Sequence, residues 1–418
     1  MNNRKNLLAV MDIGSSKINC LQCFTDNNDI TNVIGLSTIA SKGIASGVIT
    51  DFDLAYNSIS KAIRECEKKS NESIDELTIS ISSHKCFTKS IRAKADVKDE
   101  IITEQDIKLT MDKVLEDNYF YDKKIINISP TDYIIDDASG IINPINMYGN
   151  KLEIDFLATY IGINQYKNYA QTITKCNVDI HRIVFSNNAA GFSVLNENEL
   201  ELGSIVVDIG ARTTSIGMFI KNNFIFSNVL SFGGSDITEA IARKLSITYE
   251  EAEKLKVLYA SVIDASQEQD IPYEIPSINF ENENNYIQVS RRSLYELVQP
   301  FYQEILKWVH NSIENSGYKN LIGKVLVFTG GASQIDGLTT MVNNNYDYNS
   351  RIGTPKNIKF NNNEILDTSH SVAAGLIQNE INIKNKNRSK YTFRKDKRNL
   401  EKKKNFSFLK QWVGDNFF

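Results

Sequence analysis

A short apolar strand followed by Asp-Ile-Gly occurs twice in this chain, and the repeat constrains the fold more than any other feature. The first copy is an apolar stretch at 7–11 that continues into Asp12, and the second is a stretch at 204–207 that continues into Asp208. In both copies, small or hydroxyl-bearing residues and then a second apolar stretch follow the glycine. This pattern is typical of a β-hairpin with a tight polar turn. The repeat therefore predicts a core that is built twice.

The two predicted turns have the chemistry of a phosphate site. Glycine lets backbone N–H groups approach an oxyanion, and an aspartate at a strand end can hold Mg²⁺ through water. One such hairpin alone is more typical of a structural turn, but two facing hairpins could clasp the phosphates of a nucleotide. The residues assigned to this site are Asp12, Gly14, Ser15, Ser16 and Lys17 in the first turn, and Asp208, Gly210, Ala211, Arg212, Thr213 and Thr214 in the second, with Asp12 and Asp208 also assigned to Mg²⁺.

A third glycine cluster, Thr-Gly-Gly-Ala-Ser at 329–333, follows a buried-strand pattern at 324–328. It precedes an apolar pattern at 335–342 that predicts a helix. Paired glycines leave room for a flat ring beside the backbone. We therefore assign Gly330, Gly331 and Ala332 to a base-binding turn.

In this order and spacing, the three elements resemble the phosphate and adenosine motifs of the superfamily of actin, heat-shock chaperone ATPases and sugar kinases. The resemblance implies an α/β, actin-like two-lobed ATPase fold that binds ATP with Mg²⁺. It also implies that Gly233 and Gly234 form the turn before the nucleotide-side helix, and that Glu253 and Lys256 contact ribose and base. Because Glu253 and Lys256 are three residues apart on one predicted helix face, a solvated surface ion pair is the alternative.

Residues 84–162 have the pattern of a small α+β unit inserted into the first lobe. A helix is predicted over 103–118, where Thr103 and Asp106 approximate a capping box. Alternating strand patterns at 125–128, 133–135 and 151–161 surround it. We expect this inserted domain to be an interaction module.

The C-terminal tail has two parts. Residues 384–404 contain eleven basic and two acidic residues, and residues 405–418 have an amphipathic helical pattern. A basic flexible linker before a helix with aromatic side chains on one face is typical of an interfacial membrane anchor that prefers anionic lipid. A helix docked on the protein's own surface is the alternative. The residues assigned to the membrane are Phe406, Phe408, Leu409, Trp412, Val413 and Phe417.

The body, the inserted domain and the tail together resemble the FtsA family of bacterial cell division proteins over residues 5–418. Further matches are Lys-Gly-Ile at 42–44, with Asp51 following, and the strand at 79–84. The resemblance implies the following organisation: a first nucleotide-binding lobe at 1–83, 163–202 and 366–383; the inserted domain at 84–162; a second lobe at 203–240 and 319–365 with its small subdomain at 241–318; the linker at 384–404; and an amphipathic helix at 405–418.

The same resemblance implies a function and partners. The protein would polymerise, tether the tubulin-like ring protein FtsZ to the cytoplasmic face of the inner membrane at the division septum, and recruit later division proteins. In the small subdomain, Arg291 and Arg292 could receive the acidic C-terminal peptide of FtsZ; the alternative is two solvated arginines. A pilus-assembly adaptor and, less favoured, a sugar kinase of the same superfamily are the other candidate functions.

ATP binding is a better-supported expectation than hydrolysis. The stretch at 185–191, where relatives place a group that positions the attacking water, contains no carboxylate to act as a general base. No catalytic residue is therefore assigned.

Charge and apolar patterns exclude several classes of protein. The net charge is −4, and the +9 of residues 384–404 leaves about −13 for the rest, so nucleic-acid binding is not expected. No apolar run has the ~20 residues of a membrane span, and no signal peptide is recognisable. The Cys20–Cys23 pair lies in a strand pattern and is expected to be buried free thiols in a cytoplasmic protein.

Overall fold

The molecule consists of mixed β-sheets flanked by helices. The computed structural model describes residues 7–25, 31–118, 120–264, 272–276, 286–356, 358–360 and 366–394. The strands are β1 (Leu7–Ile13), β2 (Lys17–Thr25), β3 (Thr31–Ala40), β4 (Ile44–Ala45), β5 (Val48–Ile49), β6 (Glu76–Ile81), β7 (Phe87–Asp96), β8 (Lys123–Ile135), β9 (Ala138–Ile141), β10 (Lys151–Gly162), β11 (Asp179–Phe185), β12 (Ser204–Ile209), β13 (Thr214–Ile220), β14 (Asn223–Leu230), β15 (Tyr273–Pro276), β16 (Tyr286–Val289), β17 (Val325–Thr329), β18 (Asn349–Ile352) and β19 (Lys359–Phe360). The helices are α1 (Phe52–Ser70), α2 (Glu104–Asp117), α3 (Ile163–Lys175), α4 (Ser186–Val194), α5 (Glu197–Leu202), α6 (Gly234–Leu245), α7 (Tyr249–Tyr259), α8 (Arg291–Asn315), α9 (Leu338–Asn345) and α10 (Ser371–Arg394).

The two main sheets have the same construction. The first has the order β11-β6-β1-β2-β3-β19, and the second has the order β14-β13-β12-β17-β18. In each, an antiparallel meander (β1-β2-β3 or β12-β13-β14) is extended by a strand parallel to its first member, β6 or β17. Asp12 and Asp208 occupy the same position in the two hairpins, one residue before the end of β1 and β12. The duplicated α/β core predicted from the repeat is confirmed.

Helices cover these sheets with apolar faces spaced at three and four residues. Helix α1, for example, begins where Asp51 caps the N–H of Leu54, and it buries Ala55, Ile59 and Ala62 against the first sheet. Burial of a side chain as large as that of Ile59 contributes ~1.5–3 kcal/mol to the free energy of unfolding. Cys20 and Cys23 are buried in the same lobe and are not joined in a disulfide, as predicted.

The inserted domain has its own sheet, in the order β7-β10-β8-β9, covered on one face by α2. The capping box of Thr103 and Asp106 is present. The prediction of two separate strands at 125–128 and 133–135 is wrong, because both belong to one continuous strand, β8. It continues past Pro130 because register shifts along its pairing with β10 absorb the missing N–H.

Two helix boundaries also differ from the expectation. The helix predicted from 335 starts at Leu338, because Gly337 adopts φ +86° and a 3₁₀ turn occupies Gly331–Gln334. Helix α10 continues to Arg394, so the first part of the expected flexible linker at 384–404 is helical. The sequence has no glycine or proline between Gly375 and Arg394 to end the helix earlier. No helix in the described ranges is long and apolar enough to cross a membrane.

Helix α10 is anchored in the first lobe by a buried charge. The carboxylate of Glu380 accepts a hydrogen bond from the Thr78 hydroxyl at 2.8 Å and lies 3.0 Å from the guanidinium of Arg182. His181 approaches the same carboxylate at 3.6 Å. Although burial opposes it, the hydrogen bond from His181 and the charge of Arg182 hold the pKa of Glu380 at about 2.

Candidate nucleotide site

Asp12 and Asp208 end equivalent strands on the two sides of the site. Asp12 accepts a hydrogen bond from the Ser80 hydroxyl at 2.6 Å, and that hydroxyl oxygen also accepts the N–H of Ile13 at 3.2 Å. Burial raises the pKa of Asp12, and the hydrogen bond from Ser80 opposes this shift. Burial, and then the charge of Asp12, raise the pKa of Asp208 to about 7. The carboxylates therefore repel each other, and a shared cation would relieve that repulsion.

This pair of carboxylates suits Mg²⁺ better than an ion that the protein coordinates fully. In the part of the chain that the structure describes, no group of three or more His, Cys, Asp or Glu side chains could hold a metal ion. Mg²⁺ usually keeps several waters and needs only one or two carboxylates beside phosphate oxygens. The donor set of Asp12 and Asp208 fits this ion.

The turns after the two aspartates have the same geometry. The N–H of Gly14 donates to the carbonyl of Lys17 at 3.1 Å, and the N–H of Gly210 donates to the carbonyl of Thr213 at 2.8 Å. A Cβ atom at Gly14 would lie 2.7 Å from the Lys17 oxygen. The first turn therefore requires glycine to close, and both turns expose a short run of backbone of the kind that binds phosphate.

The two cations assigned to phosphate have different surroundings. Lys17 donates from its ammonium group to the Ser369 hydroxyl at 2.8 Å. The guanidinium of Arg212 pairs with Asp236 at 2.8 Å and also with Glu239, both on α6. Because two carboxylates already neutralise Arg212, Lys17 is the better placed of the two to compensate phosphate charge.

Helix α6 begins directly on the second turn. The N–H of Gly234 donates to the carbonyl of Gly210 at 2.9 Å, and a Cβ atom on Gly233 would lie 2.5 Å from that same oxygen. A Cβ atom on Gly234 would lie 2.8 Å from the Cβ of Ala332. The two glycines therefore bring the phosphate turn and the predicted base-binding turn into contact.

Lys256 is a buried cation, not one side of a solvated ion pair. It is 8% exposed, and its ammonium group donates to Glu253 at 2.7 Å, to the Thr238 hydroxyl at 2.7 Å and to the carbonyl of Gly234 at 2.9 Å. Burial lowers the pKa of Lys256, and Glu253 opposes this shift. The surface-pair alternative is thus wrong for Lys256, which connects α7 to the first turn of α6.

A cavity of about 360 Å³ lies beside Lys256 and the base-binding turn. The hydroxyl of Tyr302 donates to the carbonyl of Ala332 at 2.7 Å and fixes one wall. A second wall carries Tyr259 and Tyr273, whose rings stack with centroids 3.8 Å apart. These tyrosines are not among the predicted site residues, because they carry no motif and come from separate elements. The lining residues are Lys256, Val257, Leu258, Tyr259, Ala260, Tyr273, Arg291, Tyr302, Gly331, Ala332, Gln334, Ile335 and Asp336.

The two arginines assigned to a partner are both engaged within the protein. Arg291 donates to the carboxylate of Asp336 at 2.7 Å and lines the cavity. Arg292 donates to Glu296 at 3.3 Å, one helical turn further along α8. The alternative of two solvated arginines is therefore wrong for Arg291, which is only partly exposed.

Helix α4 brings amides, not carboxylates, to the contact between the lobes. Asn187 is fully buried, and a Cβ atom on Gly217 of β13 would lie 3.3 Å from its Cβ. Neither the nitrogen nor the oxygen of its amide has a hydrogen-bond partner within the described residues. Such a group can hold a buried water. Asn187 is not among the predicted site residues, because an amide in the stretch at 185–191 cannot act as a general base.

The residues assigned to the membrane lie outside the described residues. They are Phe406, Phe408, Leu409, Trp412, Val413 and Phe417.

Family models match two parts of this chain. The model described as "Cell division protein FtsA" matches residues 205–375, and the model described as "SHS2 domain inserted in FTSA" matches residues 85–159. A relative, the cell division protein FtsA of Agrobacterium fabrum, is 28% identical over 366 residues, which are 85% of this chain and 82% of that protein. The second match falls within the predicted inserted domain.

Solved structures share the fold. A chain of the PilM–PilN type IV pilus biogenesis complex has a TM-score of 0.64 at 14% identity and covers 91% of this chain and 99% of its own. MreB5 of Spiroplasma citri bound to ADP has a TM-score of 0.55 at 12% identity and covers 92% of this chain and 99% of its own. At these identities the likeness shows the fold alone, which is the actin-like two-lobed fold expected from the sequence.

Proposed function

The chain belongs to the FtsA family of cell division proteins, and on that basis we propose that it binds ATP with Mg²⁺ between its two lobes. The observation that carries this proposal is the pair of half-buried carboxylates of Asp12 and Asp208 at equivalent positions near the ends of β1 and β12. Burial, and then the charge of Asp12, raise the pKa of Asp208 to about 7. Two like charges that act on each other are unfavourable without a cation, so the arrangement is best understood as a binding site.

The surrounding residues would each bind a different part of the nucleotide. The turns at Gly14 and Gly210 would hold the phosphates, and Lys17 would compensate their charge. The cavity beside Lys256, with an aromatic wall and a glycine-containing floor, has the size and lining of a base pocket. When bound, Mg²⁺ would neutralise phosphate charge, and Asp12 and Asp208 would orient its waters. The proposal is for binding, since α4 offers no general base.

The ATP-bound form would polymerise and act in division at the cytoplasmic face of the membrane. The polymer would bind the tubulin-like ring protein FtsZ and hold it at the membrane, into which the amphipathic helix at 405–418 would insert its apolar face. The inserted domain would recruit later division proteins. Arg291 and Arg292 would bind the acidic C-terminal peptide of FtsZ by exchanging Asp336 and Glu296 for peptide carboxylates. The PilM likeness does not favour a pilus adaptor, because it concerns fold alone, whereas both family models name division proteins.

Isothermal titration of the full-length protein with ATP, with and without Mg²⁺, tests the core of this proposal. We expect saturable binding that is weakened when EDTA removes the metal. GTP serves as the matched control, since the same phosphates carry a different base. Absence of saturable binding in the presence of Mg²⁺ would refute the nucleotide site.

A further inference from the structure

Ser46 contacts both phosphate turns at once. It lies between β4 and β5 in the first lobe, and its N–H donates to the hydroxyl of Ser15 at 3.0 Å. Its own hydroxyl donates to the carbonyl of Arg212 at 3.1 Å. Ser15 belongs to the first phosphate turn and Arg212 to the second, so this residue joins the two sides of the site.

The backbone of Ser46 is held in an uncommon conformation. Its φ is +47°, in the left-handed region that non-glycine residues rarely adopt, and the next residue, Gly47, has φ +70°. Such a conformation persists when the surroundings enforce it, and it is frequent in elements that respond to ligands. Here the contacts with Ser15 and Arg212 are part of that enforcement.

Gly47 connects the same turn to the inserted domain. Its carbonyl accepts hydrogen bonds from the side-chain amide of Gln165 at 2.5 Å and from the hydroxyl of Tyr169 at 3.1 Å. Both donors are buried on α3, the helix that starts directly after β10, the last strand of the inserted domain. On the entry side, a Cβ atom on Gly47 would overlap the carbonyl oxygen of Ser82, just before that domain begins. The turn therefore touches both connections of the domain.

We propose that the Ser46–Gly47 turn couples nucleotide occupancy to the position of the inserted domain. This inference rests on the proposed ATP site. Phosphates bound between the two turns fix the separation of Ser15 and Arg212, and Ser46 must follow because it bonds to both. Gly47 follows Ser46 along the backbone and moves the carbonyl to which α3 is bonded. Each step of the path is a hydrogen bond or the backbone itself, so a small displacement of the two turns reaches the boundary of the inserted domain.

Hydrogen–deuterium exchange of full-length protein tests this coupling, with and without Mg²⁺ and a non-hydrolysable ATP analogue. In the wild type we expect the analogue to slow exchange in β10 and α3. The variant Ser46→Ala loses the hydroxyl that reaches Arg212. It should still bind the analogue, weakened by at most about tenfold, as one lost hydrogen bond implies. The slowing in β10 and α3 should nevertheless fall by at least about half, since the link carries the coupling.

The matched control is Ser41→Ala. Its hydroxyl lies in the same segment but has no hydrogen-bond partner within the described residues, so it should respond like the wild type. A second variant, Tyr169→Phe, removes the hydroxyl that donates to Gly47 and should also reduce the response. It provides the test if Ser46→Ala does not fold.

Analogue binding is measured on the same samples, so that failure of the coupling can be distinguished from failure of the ATP site. If the wild type binds the analogue and β10 and α3 do not respond, the coupling is refuted while the ATP site stands. If nucleotide-loaded Ser46→Ala and Tyr169→Phe respond fully, the path through this turn is refuted. If the wild type does not bind the analogue, the proposed function fails, and the coupling fails with it.

Discussion

Gly330 lies directly against the carboxylate of Asp208. Asp208 lies in β12 and is paired with Thr329, the last residue of the parallel strand β17, and Gly330 follows directly. Any Cβ atom on Gly330 would overlap a carboxylate oxygen of Asp208. Gly330 also has φ +86°. The turn assigned to the base and the carboxylate proposed to hold Mg²⁺ therefore determine each other's position.

The first prediction is that Gly330→Ala impairs both stability and nucleotide binding. Left-handed backbone at a non-glycine residue costs about 1–3 kcal/mol, and the methyl group must displace Asp208. We expect Mg·ATP affinity to fall at least about tenfold, or ~1.4 kcal/mol. Calorimetry and urea unfolding measure the two effects. Gly317→Ala is the matched control, because Gly317 has φ +79° but open space around its Cα. Equal ATP affinity in both variants would contradict the prediction.

The second prediction concerns the metal. Asp208→Asn keeps the size of the side chain and removes the charge that Mg²⁺ needs, so ATP affinity in Mg²⁺ should fall at least about tenfold. Affinity measured in EDTA should change much less. Asp53→Asn, on the surface of α1, is the control and should behave like the wild type. A variant with unchanged Mg²⁺ dependence would exclude Asp208 as a metal residue.

The third prediction is that Lys256→Met destabilises the second lobe. The substitution removes the ammonium group that donates to Gly234, Thr238 and Glu253. Only the single hydroxyl proton of Thr238 then remains to be shared between Gly234 and Glu253, so we expect a loss of about 1–3 kcal/mol. Urea unfolding measures the loss. Lys254→Met is the control, because Lys254 is 63% exposed and pairs with Glu251 at the surface. If the two variants unfold alike, the buried contacts of Lys256 contribute nothing measurable.

The fourth prediction is a pH-dependent effect of Glu380→Gln. The pKa of Glu380 lies at about 2, below its usual 4.5, so its stabilisation is present above pH 4.5 and is lost as pH falls towards 2. The hydrogen bond with Glu380 raises the pKa of His181 above 6.5, so that contribution is present below pH 6.5 and is lost as pH rises through the raised pKa. The wild type should therefore exceed the variant most between pH 4.5 and 6.5.

There we expect a difference of about 3–5 kcal/mol, because the variant leaves Arg182 buried without its counterion. Urea unfolding across a pH series gives the measurement. Glu76→Gln is the control: Glu76 also faces His181 but is 66% exposed, so it should cost at most about 1 kcal/mol. A difference that does not vary between pH 3 and 8 would argue against this assignment of charges.

The fifth prediction tests the tail. Trp412→Glu places a charge on the apolar face of the amphipathic pattern and should release the full-length protein from anionic vesicles at any salt concentration. Raising salt should weaken wild-type binding only partly. Salt screens the basic residues, which contribute up to about 1 kcal/mol each near the membrane surface, but it does not screen the burial of the apolar face. Phe418→Glu, on the polar side, should pellet like the wild type. Co-sedimentation of Trp412→Glu at wild-type levels would remove the membrane anchor.

The sequence predicts the hairpins well because their signals are local. An aspartate, a glycine and two apolar stretches determine a turn within about ten residues, and this held at both Asp12 and Asp208. Strand β8 was harder to predict, since Pro130 normally interrupts a strand and only pairing with β10 shows how the strand continues.

The parts of the site that the sequence could not supply depend on contacts across the chain. Burial of Lys256 requires Gly234 and Thr238 from another helix, and neutralisation of Arg212 requires Asp236 and Glu239. The partner of Arg291 is Asp336, which is distant in sequence. Side-chain type alone did not distinguish these paired cations from free ones, because pairing is a property of the tertiary fold.

The buried contact between α4 and α10 has a consequence for how the chain is made. Gly375 of α10 packs against the carbonyl of Ala189, where any side chain would overlap it, and α10 covers β1 and β2. The second lobe is one uninterrupted stretch of the chain, whereas the first lobe needs its last helix to close its core. On the ribosome, the second lobe can therefore complete its core while the first, although synthesised earlier, still exposes apolar surface. The second lobe can therefore close before the first, which is the reverse of the order in which the two are synthesised.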